Sequence, residues 1–159
     1  MSTRAEQLAD ELQQVTDEVA AFIAGIPDEA WPRTCADEQC TVAALACHIA
    51  DGYGPILEGL VKPIADGTEG PRYSMEELAQ WNAAAAQENA AQPKAVVVER
   101  LRTNAPAAID YLRSLSDEQL QRTGTLPFGG DPMPAKTVIE HILIGHPRGH
   151  LASIQAVTT

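Results

Sequence analysis

Apolar side chains in this 159-residue chain recur at the spacing of an α-helix rather than that of a β-strand. In the first segment they are three or four residues apart, at Leu8, Leu12, Val15, Val19, Phe22 and Ile26. This spacing places them on one stripe of a helix, which must be buried against another element. Thr3 and Glu6 have the spacing of a capping box, so they predict where the helix begins.

Three further segments show the same periodicity. The second helix is predicted to begin near Thr41 and to be bent or divided at Pro55, because proline lacks a backbone donor. Ser74 and Glu77 form a second capping box, and the pattern over residues 75–115 favours one long kinked helix over two stacked pieces. The fourth segment begins near residue 134 and contains three histidines, His141, His146 and His150.

Four helical segments without a strand pattern or an internal repeat predict an all-α four-helix bundle, with residues 1–159 forming a single domain. The stretch GIPDEAWPRTCADEQC is predicted to be a loop, and TGTLPFGGDPMP a loop or a small hairpin. Apolar residues make up 45% of the chain but aromatic residues only 4%. The core must therefore consist of Ala, Leu, Val and Ile, which suits closely packed helices.

The charge balance argues against nucleic acid and membranes as partners. The chain has 11 Lys and Arg residues and 22 Asp and Glu residues, which gives a formal charge of −11. It contains no cluster of basic residues. Such a chain repels phosphate backbones and anionic lipid. Three cysteines are too few for a disulfide framework, and no signal-peptide pattern or membrane-length apolar run is present. We therefore expect a cytoplasmic protein.

Histidines carry the clearest chemical signal. His146 and His150 are four residues apart, so both imidazoles lie on the same side of a helix and can reach one ion. His48, on the second helix, supplies the third imidazole that a metal site in a bundle core needs. Three protein ligands would leave one or more positions open for water or substrate. The alternative is that these are buried neutral histidines satisfied by hydrogen bonds. His141 lies about 140° from His146 around the helix and is not expected to join them.

Other polar residues near these histidines have simpler interpretations. Asp51, one turn after His48, either orients an imidazole or is a solvated acid, and we favour the solvated acid. Cys35 and Cys40 lack the further ligands of a second zinc site, and Cys47 points about 100° away from His48. We expect small buried thiols at Cys35 and Cys40.

Two stretches of the chain resemble the DinB/YfiT-like superfamily. WPRTCADEQCTVAALACHIADGY is similar to the segment in which a Trp, a short loop and a capped helix lead to a metal-binding His. IEHILIGHPRGHLASI is similar to its closing helix, which carries an HxxxH motif after a Gly- and Pro-rich loop such as LPFGGDPMP. The segment from Cys35 to His48 particularly resembles relatives of the mycothiol-dependent maleylpyruvate isomerases.

The resemblance implies an up-down-down-up four-helix bundle, a divalent metal and a homodimer, with His48, His146 and His150 at the three ligand positions. Zinc is the default metal for three neutral imidazoles, and nickel or another transition ion is the alternative. The chain departs from its relatives at Cys40, where Trp is common, and at Ser153, where many have Gln or His.

Three functions follow, in decreasing order of preference. The first is a metal-dependent S-transferase or isomerase that uses a low-molecular-weight thiol such as mycothiol on a small-molecule substrate. The second is a non-catalytic metal- or ligand-binding dimeric bundle. The third is a metal-dependent hydrolase, which ranks last because no HExxH-type glutamate accompanies the histidines.

Overall fold

The computed structural model describes residues 2–159. The helices are α1 (Thr3–Ala24), α2 (Val42–Ile56), α3 (Lys62–Asp66), α4 (Met75–Glu88), α5 (Lys94–Ser114), α6 (Asp117–Gln121), α7 (Ala135–Val138) and α8 (Gly145–Thr158). Two π-helical segments, Leu57–Val61 and Ile139–Ile144, connect α2 to α3 and α7 to α8. The strands are β1 (Thr34–Cys35), β2 (Cys40–Thr41), β3 (Thr123–Leu126) and β4 (Gly129–Pro134).

Four long helices form the body of the molecule. Helix α1 packs against α5, α5 packs against α2, α2 packs against α8, and α8 with its preceding π segment returns to α1. The predicted all-α four-helix bundle is therefore confirmed. Within residues 2–159, no helix combines the length and the apolar character that crossing a membrane requires.

The core has the composition that the sequence predicts. Its largest fully buried side chains are almost all aliphatic, among them Leu8, Leu12, Ile23, Leu45, Ile49, Leu101, Leu112, Ile139, Leu143 and Ile144. Tyr53 is the buried aromatic residue of the described core, and its hydroxyl shares a 2.8 Å hydrogen bond with Thr16 on α1. Small aliphatic side chains let the helices approach closely, so the bundle needs few aromatic residues.

The first helix begins differently from the prediction, which was wrong about the Thr3 and Glu6 capping box. Ser2 is the N-cap, and its hydroxyl accepts a hydrogen bond from the Ala5 amide at 3.1 Å. Ser2 also donates a hydrogen bond to Asp117, the first residue of α6. This tertiary contact explains why the helix begins one residue earlier, since Ser and Thr are both good N-caps locally.

Residues 75–115 form two helices, so the favoured long kinked helix was wrong. The capping box at Ser74 and Glu77 is confirmed, but α4 ends at Glu88 and α5 begins at Lys94. Pro93 has an extended backbone at the N-cap position of α5, and a residue that precedes proline is disfavoured in helical conformation. The Trp31 indole anchors the connection by donating to the Gln92 carbonyl at 2.8 Å.

Both metal-candidate helices adjoin a π-helical segment. The first begins two residues after Pro55, which lies inside α2 and was expected to bend or divide the helix. In this segment the Lys62 amide donates to the Leu57 carbonyl five residues earlier. The second directly precedes α8 and its two histidines. Such π segments commonly occur next to functional sites.

Two small hairpins extend from the bundle. Strands β3 and β4 form the hairpin that the sequence allowed as an alternative to a loop. Strands β1 and β2 pair within the stretch that was predicted to be a loop, with Thr34 opposite Thr41 and Cys35 opposite Cys40. The turn between them includes Gln39 at a positive φ of 57°. This second hairpin packs against α8, so the bundle stabilises a local structure that has no strand pattern of its own.

Candidate metal centre

The N-terminal cap of α2 sets the direction in which His48 projects. The Thr41 hydroxyl accepts a hydrogen bond from the Ala44 amide at 3.0 Å and donates one to the Ala90 carbonyl at 2.8 Å. From this start, Leu45 and Ile49 enter the core, while His48 beside them faces α8. A local cap and an apolar stripe thus deliver one imidazole to the contact between two helices.

The structure brings the three predicted histidines together. One ring nitrogen from each of His48, His146 and His150 lies within 4.8 Å of the other two, and these residues are called the histidine cluster below. The Nε2 atoms of His48 and His146 are 2.8 Å apart. The ring centroids are 4.6 to 5.0 Å apart and the ring planes are inclined by 61° to 89° to one another, so the three rings pack in T-shaped pairs rather than stacking face to face.

This donor set fits a transition-metal ion. Three imidazole nitrogens would bind zinc at about 2.1 Å, which requires nitrogen–nitrogen separations of about 3.4 Å in a tetrahedral arrangement. The observed atoms are close enough to adopt those separations after small side-chain rotations. Without an ion, one of the two Nε2 atoms of His48 and His146 donates a hydrogen bond to the other, and a bound cation would replace that proton.

Burial keeps two imidazoles of the cluster in the metal-binding form. It lowers the pKa of His48 to about 4 and that of His146 to about 3, and the neighbouring histidines lower both further because like charges repel. Both rings are therefore neutral at pH 7. Neutral imidazole is the form that coordinates a metal.

These pKa values predict how the stability of the metal-free protein depends on pH. His48 and His146 titrate near pH 6.5 when unfolded but near pH 4 and 3 when folded, so the unfolded chain binds more protons below pH 6.5. We expect the free energy of unfolding to fall from pH 6.5 towards pH 4, by up to about 1.4 kcal/mol per pH unit for each histidine. Denaturant titrations of the metal-free protein at several pH values measure this slope.

A matched pair of variants tests the assignment of that slope. His146→Gln should flatten the pH dependence in this window, whereas His141→Gln should not, because His141 is exposed. Equal slopes in the two variants would contradict the assignment.

Sequence reasoning missed Glu38. This residue lies in the turn between β1 and β2, and its Oε2 atom is 2.8 Å from Nδ1 of His150. Burial alone would raise the pKa of the Glu38 carboxyl, but its hydrogen bond with His150 is the largest of the contributions that lower it, and the pKa is lowered overall. Nothing in the local pattern identifies Glu38, because it is one of several acids in a stretch that was predicted to be a loop.

Asp51, the acid that was considered near His48, points elsewhere. It is exposed and forms an ion pair with Arg100 at 3.2 Å, which confirms the favoured interpretation of a solvated acid. The residue one turn after His48 that does contact the cluster is Gly52. A Cβ atom at Gly52 would lie 2.8 Å from Cε1 of His146, closer than carbon atoms approach one another. The absence of a side chain therefore makes room for that imidazole.

The remaining candidates lie outside the cluster. His141 is exposed, as expected, and does not belong to the metal-ligand group found in residues 2–159. All three cysteines are free. Cys35 and Cys47 are fully buried, and burial raises the pKa of each thiol to about 11, while the pKa of Cys40 is raised as well. The expectation of small buried thiols at Cys35 and Cys40 is thus confirmed for Cys35, whereas Cys40 is partly exposed.

Comparison with solved structures places this bundle among known folds. It is similar to YfiT from Bacillus subtilis, described as a probable metal-dependent hydrolase with an unusual four-helix bundle topology. The two share 16% identity and a TM-score of 0.75, over 99% of this chain and 87% of that one. An uncharacterised protein from Clostridium difficile 630 gives 14% identity and a TM-score of 0.72, over 98% of this chain and 96% of that one.

The mycothiol-dependent maleylpyruvate isomerase is also similar, with 15% identity and a TM-score of 0.67. The match covers 99% of this chain but 63% of that one, so the isomerase is a considerably longer protein. Among curated proteins, none matches this sequence significantly. The sequence profile of the DinB superfamily matches residues 11–154, which include the whole histidine cluster. The chain therefore belongs to the DinB superfamily, as its resemblance to that superfamily indicated.

Proposed function

We propose that this protein binds one divalent transition-metal ion on His48, His146 and His150 and uses it in a thiol-dependent S-transfer or isomerisation of a small molecule. The observation that carries the proposal is the convergence of three imidazole nitrogens in one half-buried cluster. Zinc is the proposed metal and nickel the alternative, because both bind neutral imidazoles well.

Each part of the cluster has a separate task in this proposal. The low pKa values of His48 and His146 keep two rings unprotonated at neutral pH, and three protein ligands leave a position open for a reactant. When bound, the ion would lower the pKa of a thiol in that position and hold it as a nucleophilic thiolate.

The thiol has to come from outside the chain. Cys35 and Cys47 are fully buried, and the raised pKa values of all three cysteines keep them protonated at pH 7. None of them is poised as a nucleophile. A low-molecular-weight thiol is therefore the proposed partner, with mycothiol as the first choice because a similar solved structure is a mycothiol-dependent isomerase. A reducing cytoplasmic setting belongs to the same proposal.

The test combines metal analysis with thiol-dependent turnover. Elemental analysis of the purified protein should give about one zinc or nickel per chain. The metal-loaded protein should then accelerate addition of mycothiol, or another biological thiol, to an unsaturated electrophile such as maleylpyruvate, and chelation should abolish the acceleration. Rates no greater than the metal-free thiol background, across several thiols and electrophiles, would contradict the proposal.

Hydrolysis is the second candidate, favoured by the similarity to YfiT and by the carboxylate of Glu38 beside His150. In that case the bound ion would activate water instead of a thiol. The two candidates separate cleanly, because hydrolysis of ester or amide substrates proceeds without any thiol.

A non-catalytic dimeric bundle is the third candidate, and α4 favours the dimer. None of the 14 residues of α4 is buried, and Met75 and Trp81 are 59% and 52% exposed. Helix α4 contacts α2 and β2 only through residues that stay partly exposed, and a helix of this length is marginal with so little buried surface, so we propose that a second copy of the chain covers its exposed side. Sedimentation velocity on the sample used for metal analysis distinguishes a dimer from a monomer, and a dimer without turnover would favour this candidate.

A further inference from the structure

The hairpin of β1 and β2 holds one side chain against the histidine cluster. Its arms are joined by a hydrogen bond of 2.8 Å from the Val42 amide to the Arg33 carbonyl, and its turn by one of 2.9 Å from the Gln39 amide to the Cys35 carbonyl. The Arg33 guanidinium donates to the Val157 carbonyl of α8 at 2.9 Å. The turn that carries Glu38 is therefore fixed relative to the helix that carries His150.

The contact between Glu38 and His150 fixes where a proton resides. Both side chains are largely buried, 19% and 24% exposed, and Oε2 of Glu38 is 2.8 Å from Nδ1 of His150. An ionised carboxylate only accepts hydrogen bonds, so Nδ1 must carry the proton. In the neutral ring, Nε2 then has a free lone pair. A metal ion binds through that lone pair. A carboxylate that accepts a hydrogen bond from Nδ1 also makes Nε2 more basic and therefore a stronger metal ligand.

In the histidine cluster, His150 is the residue whose ring donates to a carboxylate. Among residues 2–159, the rings of His48 and His146 form a hydrogen bond with each other, between their Nε2 atoms. The nearby acid Asp51 pairs with Arg100 instead. Two of the three rings therefore have no carboxylate that selects their tautomer.

We propose that Glu38 is a positioning residue that holds His150 in the Nδ1–H tautomer. The β1–β2 hairpin would then contribute to metal binding, because it carries Glu38. The effect on metal binding rests on the proposed function, whereas the tautomer of His150 does not depend on that function. The second carboxylate oxygen, Oε1, is buried without a hydrogen-bond partner among the described residues. Such an orphaned oxygen costs folding free energy, which is consistent with a residue that serves the site rather than the fold.

The experiment compares Glu38→Ala with Asp37→Asn. Asp37 is the adjacent, exposed acid, so its replacement removes a similar charge from the same turn without touching His150. We expect Glu38→Ala to weaken zinc binding about tenfold or more, as loss of a carboxylate behind a metal-bound histidine does, and Asp37→Asn to change it little. Competition with a chromophoric chelator measures both affinities, and thermal unfolding of the metal-free variants checks that they fold.

A second readout does not depend on metal binding. Long-range ¹H–¹⁵N correlation spectra of the metal-free protein identify which nitrogen of His150 is protonated. We expect Nδ1–H in the wild type and in Asp37→Asn, and loss of this preference in Glu38→Ala. An Nε2–H tautomer in the wild type, or unchanged zinc affinity in Glu38→Ala, would overturn the proposal. If the wild type shows Nδ1–H but binds no divalent ion, the proposed function fails while the Glu38–His150 contact stands.

Discussion

His146→Ala is expected to weaken binding of the first divalent ion by a hundredfold to a thousandfold. The variant removes one of three converging nitrogens, and structural zinc sites with four ligands bind with about 10–16 kcal/mol, or roughly 3 kcal/mol per ligand. Each 1.4 kcal/mol corresponds to a tenfold change in affinity. Chelator competition with zinc and with nickel measures the loss, and any metal-dependent turnover should fall with it.

His141→Ala is the matched control for this variant. His141 lies only five residues earlier and is exposed, outside the metal-ligand group of the described chain. Its replacement should leave metal affinity within about twofold of the wild type. Circular dichroism and thermal unfolding of both metal-free variants separate loss of the site from loss of the fold. Equal metal affinities for the two variants would remove the histidine cluster from consideration as the metal site.

Gly52→Ala is expected to lower metal affinity by up to about a hundredfold while the helix around it remains formed. A Cβ atom there would lie 2.8 Å from Cε1 and 3.2 Å from Nδ1 of His146. The ring has to move by a large fraction of an ångström. Misplacement of a catalytic group by about 1 Å can cost a hundredfold in rate, and we take that as the upper limit for the loss in metal affinity. Alanine is favoured over glycine inside a helix by about 1 kcal/mol, so helix propensity does not oppose the change.

Gly54→Ala provides the comparison, because Gly54 lies in the same helix and a Cβ atom there would meet nothing within 4 Å. It should raise the stability of α2 slightly and leave metal binding unchanged. Isothermal titration of both variants with zinc measures the contrast. If both variants bound zinc as tightly as the wild type, the close approach of Gly52 to His146 would not affect metal binding, and this prediction would be wrong.

Much of the fold follows from local physics that the sequence displays directly. Apolar residues at helical spacing predict four buried stripes, Ser74 with Glu77 predicts a capping box, and Pro55 predicts a bend or a division in the second helix. All three features are present in the structure. Each depends on interactions within a few residues along the chain, so the sequence carries the information without knowledge of the tertiary arrangement.

The errors occur where a distant contact decides between local alternatives. Ser2 and Thr3 are both suitable N-caps, and the hydrogen bond from Ser2 to Asp117 involves a residue more than a hundred positions away. Residues 89–93 separate α4 from α5, and the indole of Trp31 holds that connection in place. Periodicity alone does not distinguish a kink from a break, because both preserve the apolar pattern on either side.

The histidines themselves were identifiable from the sequence, because an i, i+4 pair on one helix and a third histidine on another are patterns of residue type and spacing. Only the tertiary structure decided what surrounds them. Glu38 reaches His150 through a hairpin without strand periodicity, and Gly52 matters because α8 lies against α2 at that turn. A hydrogen bond to the far side of a ring and the space left by a missing side chain both depend on how separate segments pack. Neither feature can be predicted from the spacing of residues along one helix.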